Sequence, residues 1–206
     1  MRTNVIIFDL DDTLIDTRIR HYKILQDFLK EKGIEFICYR DYLSKRRQDS
    51  ASNLSLIKEL FPLAEEGFNE FWLQNIESEK YLQYDREIVN VKLLNELKIR
   101  TNSMFVILSL RKQKDIAENQ CLSFSFFKNF QKLIFLPHSS VNPKLQFLKE
   151  FKEQFNVLFF VGDSTNDRDA SLAADVPFYA VDTGFYSLSS SKIYPDINHL
   201  LLQLPL

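Results

Sequence analysis

VIIFDLDDTL, residues 5–14, is a short apolar run that ends in acids, and it sets the reading of the whole chain. Asp9, Asp11 and Thr13 fall at alternate positions. Side chains two apart on an extended strand share a face, with α-carbons roughly 6 to 7 Å apart, so the spacing predicts that Asp9 and Asp11 point into one site. Two carboxylates that close repel each other unless a cation or a shared proton relieves them. The pair therefore suggests a metal-assisted reaction. The competing reading is a solvated strand end at which an Asp caps the following helix.

Four more apolar runs read as buried strands: MFVIL at 104–108, LIFL at 133–136, VLFFV at 157–161 and FYAV at 178–181. Between them, Ile88, Val91, Leu94 and Leu97, and then Leu145, Leu148 and Phe151, recur at helical spacing. Alternation of strand and helix predicts an α/β fold with a doubly wound, parallel five-stranded sheet, Rossmann-like in its core. Residues 17–85 interrupt the alternation with amphipathic stretches around 22–29, 54–60 and 68–76. The expected organisation is a core of residues 1–16 and 86–206 with a helical insert at 17–85. Phe68, Phe71, Trp72 and Ile76 read as packing within the insert. Phe124, Phe126, Phe127 and Phe130 read as core, in preference to a subunit interface. KRRQDSASN at 45–53 is polar and reads as a loop or helix end.

A chain of 206 residues is long enough for one full core and a smaller appended unit. A net charge of −2 gives no basic field of the kind that drives nucleic-acid binding, so a polyanionic partner is not expected. Cys38 and Cys121 are far apart, without metal-site spacing, and fit a reducing compartment. No apolar run is long enough to span a membrane. A cytoplasmic protein, monomer or homodimer, is expected.

After the run at 157–161 comes a second acidic cluster, GDSTND, in which Gly162 and Asp163 close the strand and Asp167 follows four residues later. Ligands of doubly wound sheets bind at the carboxyl ends of strands, where strand order reverses. Asp9, Asp11, Asp163 and Asp167 are therefore expected to converge, and an all-oxygen set without His or Cys suits Mg2+. Ser109 at another strand end and Lys144 after Pro143 offer a hydroxyl and an ammonium, which suit a phosphate group. Taken singly, Ser109 also reads as a helix cap and Lys144 as a surface lysine.

Taken in order, DLDDT, a strand ending in Ser, a Lys and GDSTND resemble the four motifs of the haloacid dehalogenase superfamily of phosphatases and phosphotransferases, over nearly the whole chain. The resemblance implies that Asp9 is the nucleophile and Asp11 the general acid and base. It implies that Thr13 and Ser109 contact the phosphoryl group and Lys144 stabilises it. Asp163 is implied to bind magnesium with Asp9 and the backbone carbonyl of Asp11, and Asp167 to support the metal directly or through water. The insert resembles the family's helical cap, which closes over the site and selects the substrate.

The implied activity is magnesium-dependent hydrolysis of a small phosphorylated metabolite through an aspartyl phosphate. The alternatives are a phosphotransferase or mutase on the same scaffold and a non-catalytic binding module. A dehalogenase is less expected, because Asp11 suits an alcohol leaving group. Arg111 reads equally as a substrate contact and as the partner of a nearby carboxylate. Arg18, Arg20, His21, Arg46 and Arg47 read as a solvated helix face in preference to a site for a second anion. The family pattern departs at Asp175, where a glycine is usual, so Asp175 must accept a turn that Gly enters more easily. Lys132, Lys149 and Lys152 compete with Lys144 for the third motif, and Lys144 is chosen because it opens a helix.

Overall fold

The computed structural model describes residues 2–48, 52–139, 141–185, 188 and 193–204. β1 (Asn4–Phe8) is followed by a short β2 (Ile15–Asp16), and then by α1 (Arg18–Glu31), α2 (Tyr39–Gln48), α3 (Asn53–Leu60), α4 (Phe68–Asn75) and α5 (Glu79–Leu82). β3 (Arg86–Glu87) returns the chain to alternation: α6 (Val91–Thr101), β4 (Met104–Leu110), α7 (Lys114–Leu122), β5 (Phe130–Leu136), α8 (Pro143–Gln154), β6 (Asn156–Gly162), α9 (Thr165–Ala173) and β7 (Phe178–Val181). β8 (Ile193–Tyr194) and α10 (Ile197–Gln203) complete the described chain.

The main sheet has the order β5-β4-β1-β6-β7-β8, and every pairing in it is parallel. The five expected strands are all present. The sixth, β8, has only two residues, too few for an apolar run to announce it. Its pairing with Ala180 and Val181 extends the edge of the sheet.

Alternate residues of the central strands feed two separate cores, as a parallel sheet covered on both faces requires. Ile6, Phe8, Phe105, Ile107, Phe159 and Val161 pack with Leu94 and Leu97 of α6 and with Ile197 and Leu200 of α10. Val5, Ile7, Val106, Leu108 and Phe160 pack with Leu148 and Phe151 of α8 and Ala170 of α9 on the other face. Phe8 and Phe105, both fully buried, hold their rings 5.3 Å apart. Truncating such a side chain to Ala costs about 3–5 kcal/mol. Phe126 and Phe130 belong to the first core, as expected of that cluster, although residues 125–129 form a 3₁₀ turn and Phe130 already starts β5.

The chain divides into two compact units: Met1–Asp16, Glu87–Gly184 and Leu188–Leu206 in one, Thr17–Arg86 and Phe185–Ser187 in the other. The second has its own aromatic core of Tyr22, Phe28, Phe36, Tyr42 and Phe68, with Phe71 and Trp72 packed on it. Residues 45–48 are the last turn of α2, Ser52 caps α3 through its hydroxyl, and 49–51 lie outside the described residues. The solvated-face reading fails for two of the arginines. Arg20 is buried against Asp85 at 3.2 Å. Arg46 is buried with its guanidinium 4.0 Å over the Phe185 ring, and it donates to Asn53. Arg46 lies on α2, whose other buried residue is Tyr42, so its stem supplies apolar packing that the helix otherwise lacks, whereas Arg20 is buried among the apolar residues of α1 with its head on a local carboxylate. Cys38 is exposed and Cys121 buried, and both are free thiols. No helix among the described residues is long and apolar enough to cross a membrane.

Candidate active site

The sequential crossovers run outward from β1 to β4 and β5 on one side and through β6, β7 and β8 on the other, so strand order reverses between β1 and β6. This is the switch point at which a doubly wound sheet opens a crevice at its carboxyl edge. Asp9 follows β1 there, and Asp163 follows β6.

The first acidic segment differs locally from the extended strand that its alternation predicts. β1 stops at Phe8, and the carbonyl of Leu10 accepts from the N–H groups of Thr13, Leu14 and Ile15 at 3.3, 2.9 and 3.1 Å. Leu10 and Leu14 are both fully buried. Asp12 enters the left-handed region with φ 55°. Asp tolerates this conformation better than most residues. Its carbonyl accepts from the Thr183 hydroxyl.

Asp9, Asp163 and Asp167 bring carboxylate oxygens within 4.8 Å of one another, and all three are buried. Lys144 stands among them, 3% exposed, donating to Asp9 Oδ1 and to Asp167 Oδ1 at 2.5 Å each. Of the competing lysines, Lys152 donates to the carbonyls of Ala174 and Asp175, Lys132 lies over the Phe155 ring, and Lys149 is exposed. Lys144 is placed by the start of α8, where Pro143 opens the helix and the Asn142 side chain accepts from the Lys144 N–H. Asp167 is fixed by a capping box at α9: Ser164 Oγ accepts from the Asp167 N–H, and Asp167 Oδ2 accepts from the Ser164 N–H and hydroxyl. The left-handed turn required of Asp175 is found at φ 52°.

Burial pushes the Asp9 carboxyl up to about 8; Lys144 pulls it back, while Asp167 and Asp11 push it further. Burial, then Asp12, Asp9 and Asp167, hold Asp163 well above the usual carboxylate range. Burial works against the Lys144 charge, but Asp167 and Asp9 outweigh it and keep the ammonium protonated. Three buried carboxylates face one ammonium, and without a cation the repulsion is relieved by protons held on Asp9 and Asp163; ionising both would leave two negative charges uncompensated. A divalent, oxygen-seeking cation matches both that charge and the donor set.

Beside this cluster lies a second group. Asp11 accepts from Arg111 Nε at 2.9 Å, from Arg111 Nη2 at 2.5 Å and from Ser109 Oγ at 3.2 Å. Of the two readings of Arg111, the carboxylate pairing is the one found. The Asp11 carboxylate does not join the three-carboxylate set among the described residues. Thr13 is fully buried, and its hydroxyl has no hydrogen-bond partner among the described residues. Such an orphan donor fits an anion, since burying a hydroxyl without a partner is costly.

Sequence reasoning placed Gly162 at a strand end without a role in the site, and passed over Gly184. A Cβ on Gly184 would lie 1.8 Å from Asp163 Oδ2, and one on Gly162 would lie 2.7 Å from Asp167 Oδ2. The chain has only four glycines, and the scarcity of the type was the available signal.

Several solved structures share this architecture. A haloacid dehalogenase-superfamily hydrolase of subfamily IA from Geobacter sulfurreducens PCA superposes with a TM-score of 0.69 at 18% identity, covering 98% of this chain and 97% of that one. A predicted phosphoglycolate phosphatase from Haemophilus somnus 129PT gives 0.63 at 18% identity, covering 98% of each chain. A predicted phosphatase from Clostridium acetobutylicum gives 0.67 at 15%, covering 94% of each. At such identities these likenesses speak for the fold. No curated protein matches the sequence. The family model for haloacid dehalogenase-like hydrolases, however, matches residues 6–181, which include Asp9, Asp11, Thr13, Ser109, Arg111, Lys144, Asp163 and Asp167. With that match and acidic residues gathered at the carboxyl edge of its sheet, the chain belongs to the haloacid dehalogenase-like hydrolase family.

Proposed function

We propose that the chain is a magnesium-dependent phosphohydrolase that cleaves a small phosphorylated metabolite through a phosphorylated Asp9. The observation that carries this reading is the donor set at the crevice: Asp9, Asp163 and Asp167, all buried, with carboxylate oxygens within 4.8 Å of one another and Lys144 among them. The solved relatives described as phosphatases support a phosphate ester as the substrate. Asp9, Asp163 and Asp167, with the backbone carbonyl of Asp11, are the groups that would hold magnesium. The bound cation supplies positive charge that offsets the charge of the phosphoryl oxygens.

In the first transfer an Asp9 oxygen bonds to phosphorus as the bond from phosphorus to the leaving oxygen breaks. Asp11 gives its proton to that oxygen. In the second, a water oxygen attacks phosphorus, its proton returns to Asp11, and the bond to Asp9 breaks to release phosphate. Lys144, anchored on Asp9 and Asp167, keeps a fixed positive charge beside the nucleophile. The partnerless hydroxyl of Thr13 and that of Ser109 are the assigned phosphoryl contacts. Substrate choice is assigned to the helical unit, as the family resemblance implies.

The test is phosphate release from sugar phosphates, nucleotides, phosphoglycolate and a chromogenic phosphate ester, with magnesium and with chelator, beside Asp9→Asn. Metal-dependent release that falls by at least about 10⁴-fold in the variant is expected. Release that persists in chelator or in Asp9→Asn contradicts the reading. Turnover that needs a second hydroxyl compound as acceptor would make the enzyme a phosphotransferase.

A further inference from the structure

The Asp11 carboxylate sits on a soft support. It projects from a turn, its neighbour Asp12 takes a left-handed conformation, and its side chain is 27% exposed. Left to itself, such a carboxylate exchanges rotamers and is hydrated. Arg111 is its opposite. Its backbone N–H donates to the Leu136 carbonyl at 2.9 Å, which continues the ladder between β4 and β5. Its side chain is 4% exposed, and Nη2 also reaches Gln120 Oε1 of α7 at 3.5 Å. The fork then closes on both Asp11 oxygens, through Nε at 2.9 Å and Nη2 at 2.5 Å. Two parallel N–H donors fix the plane of a carboxylate as well as its place, which a lysine cannot do.

We propose that Arg111 is a positioning residue that transmits the rigidity of the sheet to Asp11 and so holds its carboxylate for proton transfer with the leaving oxygen. This role rests on the phosphohydrolase reading and deepens it. In this role Arg111 acts through Asp11 and not on the phosphoryl group. Its fork is committed to Asp11, and the cation beside Asp9 is Lys144.

The consequence depends on the leaving group. An alkyl ester departs as a poor leaving group and needs the proton that Asp11 delivers as the phosphorus–oxygen bond breaks. A nitrophenolate departs without it. Misplacing a general acid therefore slows the first far more than the second, whereas general damage to the site slows both alike.

The experiment compares kcat/KM of the magnesium-loaded wild type, Arg111→Ala and Arg111→Lys on p-nitrophenyl phosphate and on the best alkyl phosphate of the substrate panel. Both variants should lose about 10²-fold on the alkyl ester and no more than about tenfold on the nitrophenyl ester, with added guanidinium recovering part of the Arg111→Ala loss. Where Arg111→Ala does not fold, Arg111→Lys, which keeps the charge and the buried stem, decides the same question. Equal losses on the two esters, or no loss on the alkyl ester, overturn the role while leaving the phosphohydrolase reading in place. A wild type that releases phosphate from neither ester overturns that reading and the role with it.

Discussion

The crevice holds two ion-pair systems that differ in what surrounds them. Around Lys144 everything is dry: its own side chain and those of Asp9 and Asp167 are 4%, 6% and 1% exposed. Around Arg111 only the cation is buried, while the Asp11 side chain is 27% exposed. Charges enclosed in protein interact strongly and titrate far from their usual ranges, whereas a carboxylate open to water exchanges protons readily. The enclosed system suits a nucleophile and a metal, the open one a proton carrier.

The largest test of this contrast is Lys144→Ala, which leaves Asp9 and Asp167 buried without their cation. In chelator it should destabilise the chain by about 3–5 kcal/mol, read from denaturant midpoints. Arg111→Ala, measured in the same way, should cost less, because water can take over at Asp11. Equal costs would erase the distinction. Next in size is the pH dependence of the metal-free protein. The folded state keeps a proton on Asp9 up to about pH 8, while the unfolded chain releases it near the ordinary value of 3.8. Between those limits the folded state binds more protons, so stability should fall as pH rises from about 4 to about 8, with Asp163 acting in the same direction. Melting temperatures across that range in chelator should show the fall, and saturating magnesium should flatten it. A melting temperature that holds steady or rises in chelator would contradict the enclosed-charge picture.

Smaller effects sharpen the geometry. Gly184→Ala drives a methyl group into the space of the Asp163 carboxylate and should weaken magnesium binding by about 10–100-fold, measured by calorimetry. Thr13→Val removes a buried hydroxyl that lacks a partner and should stabilise the unliganded chain by about 1 kcal/mol while raising KM. A loss of stability instead would mean that the hydroxyl is satisfied in solution.

The central strands were legible because a parallel strand covered on both faces must be apolar at every position, and the runs before Asp9 and Asp163 meet that demand. The helix α2 was not, since Tyr42 is the fully buried aromatic of a stretch otherwise dominated by charge, so no apolar stripe marks it. At the site, residue types and order were enough to select Asp9, Lys144, Asp163 and Asp167, which the fold brings within reach of one another. The contact of Asp11 with Ser109 and Arg111 was not decided, because it joins side chains about a hundred positions apart through a turn that alternation had drawn as a strand. Gly184 was invisible for a related reason: its importance lies in the space it leaves for Asp163, and nothing local in the sequence signals that neighbour.

The most direct measurement is a calorimetric titration of the metal-free chain with magnesium, beside Asp163→Asn. Three carboxylates gathered beside one ammonium call for one divalent ion per chain, which displaces the protons held on Asp9 and Asp163 and is bound by the wild type and lost or greatly weakened in the variant. No binding to the wild type, or equal binding to both, would contradict the assignment of this cluster as the magnesium site.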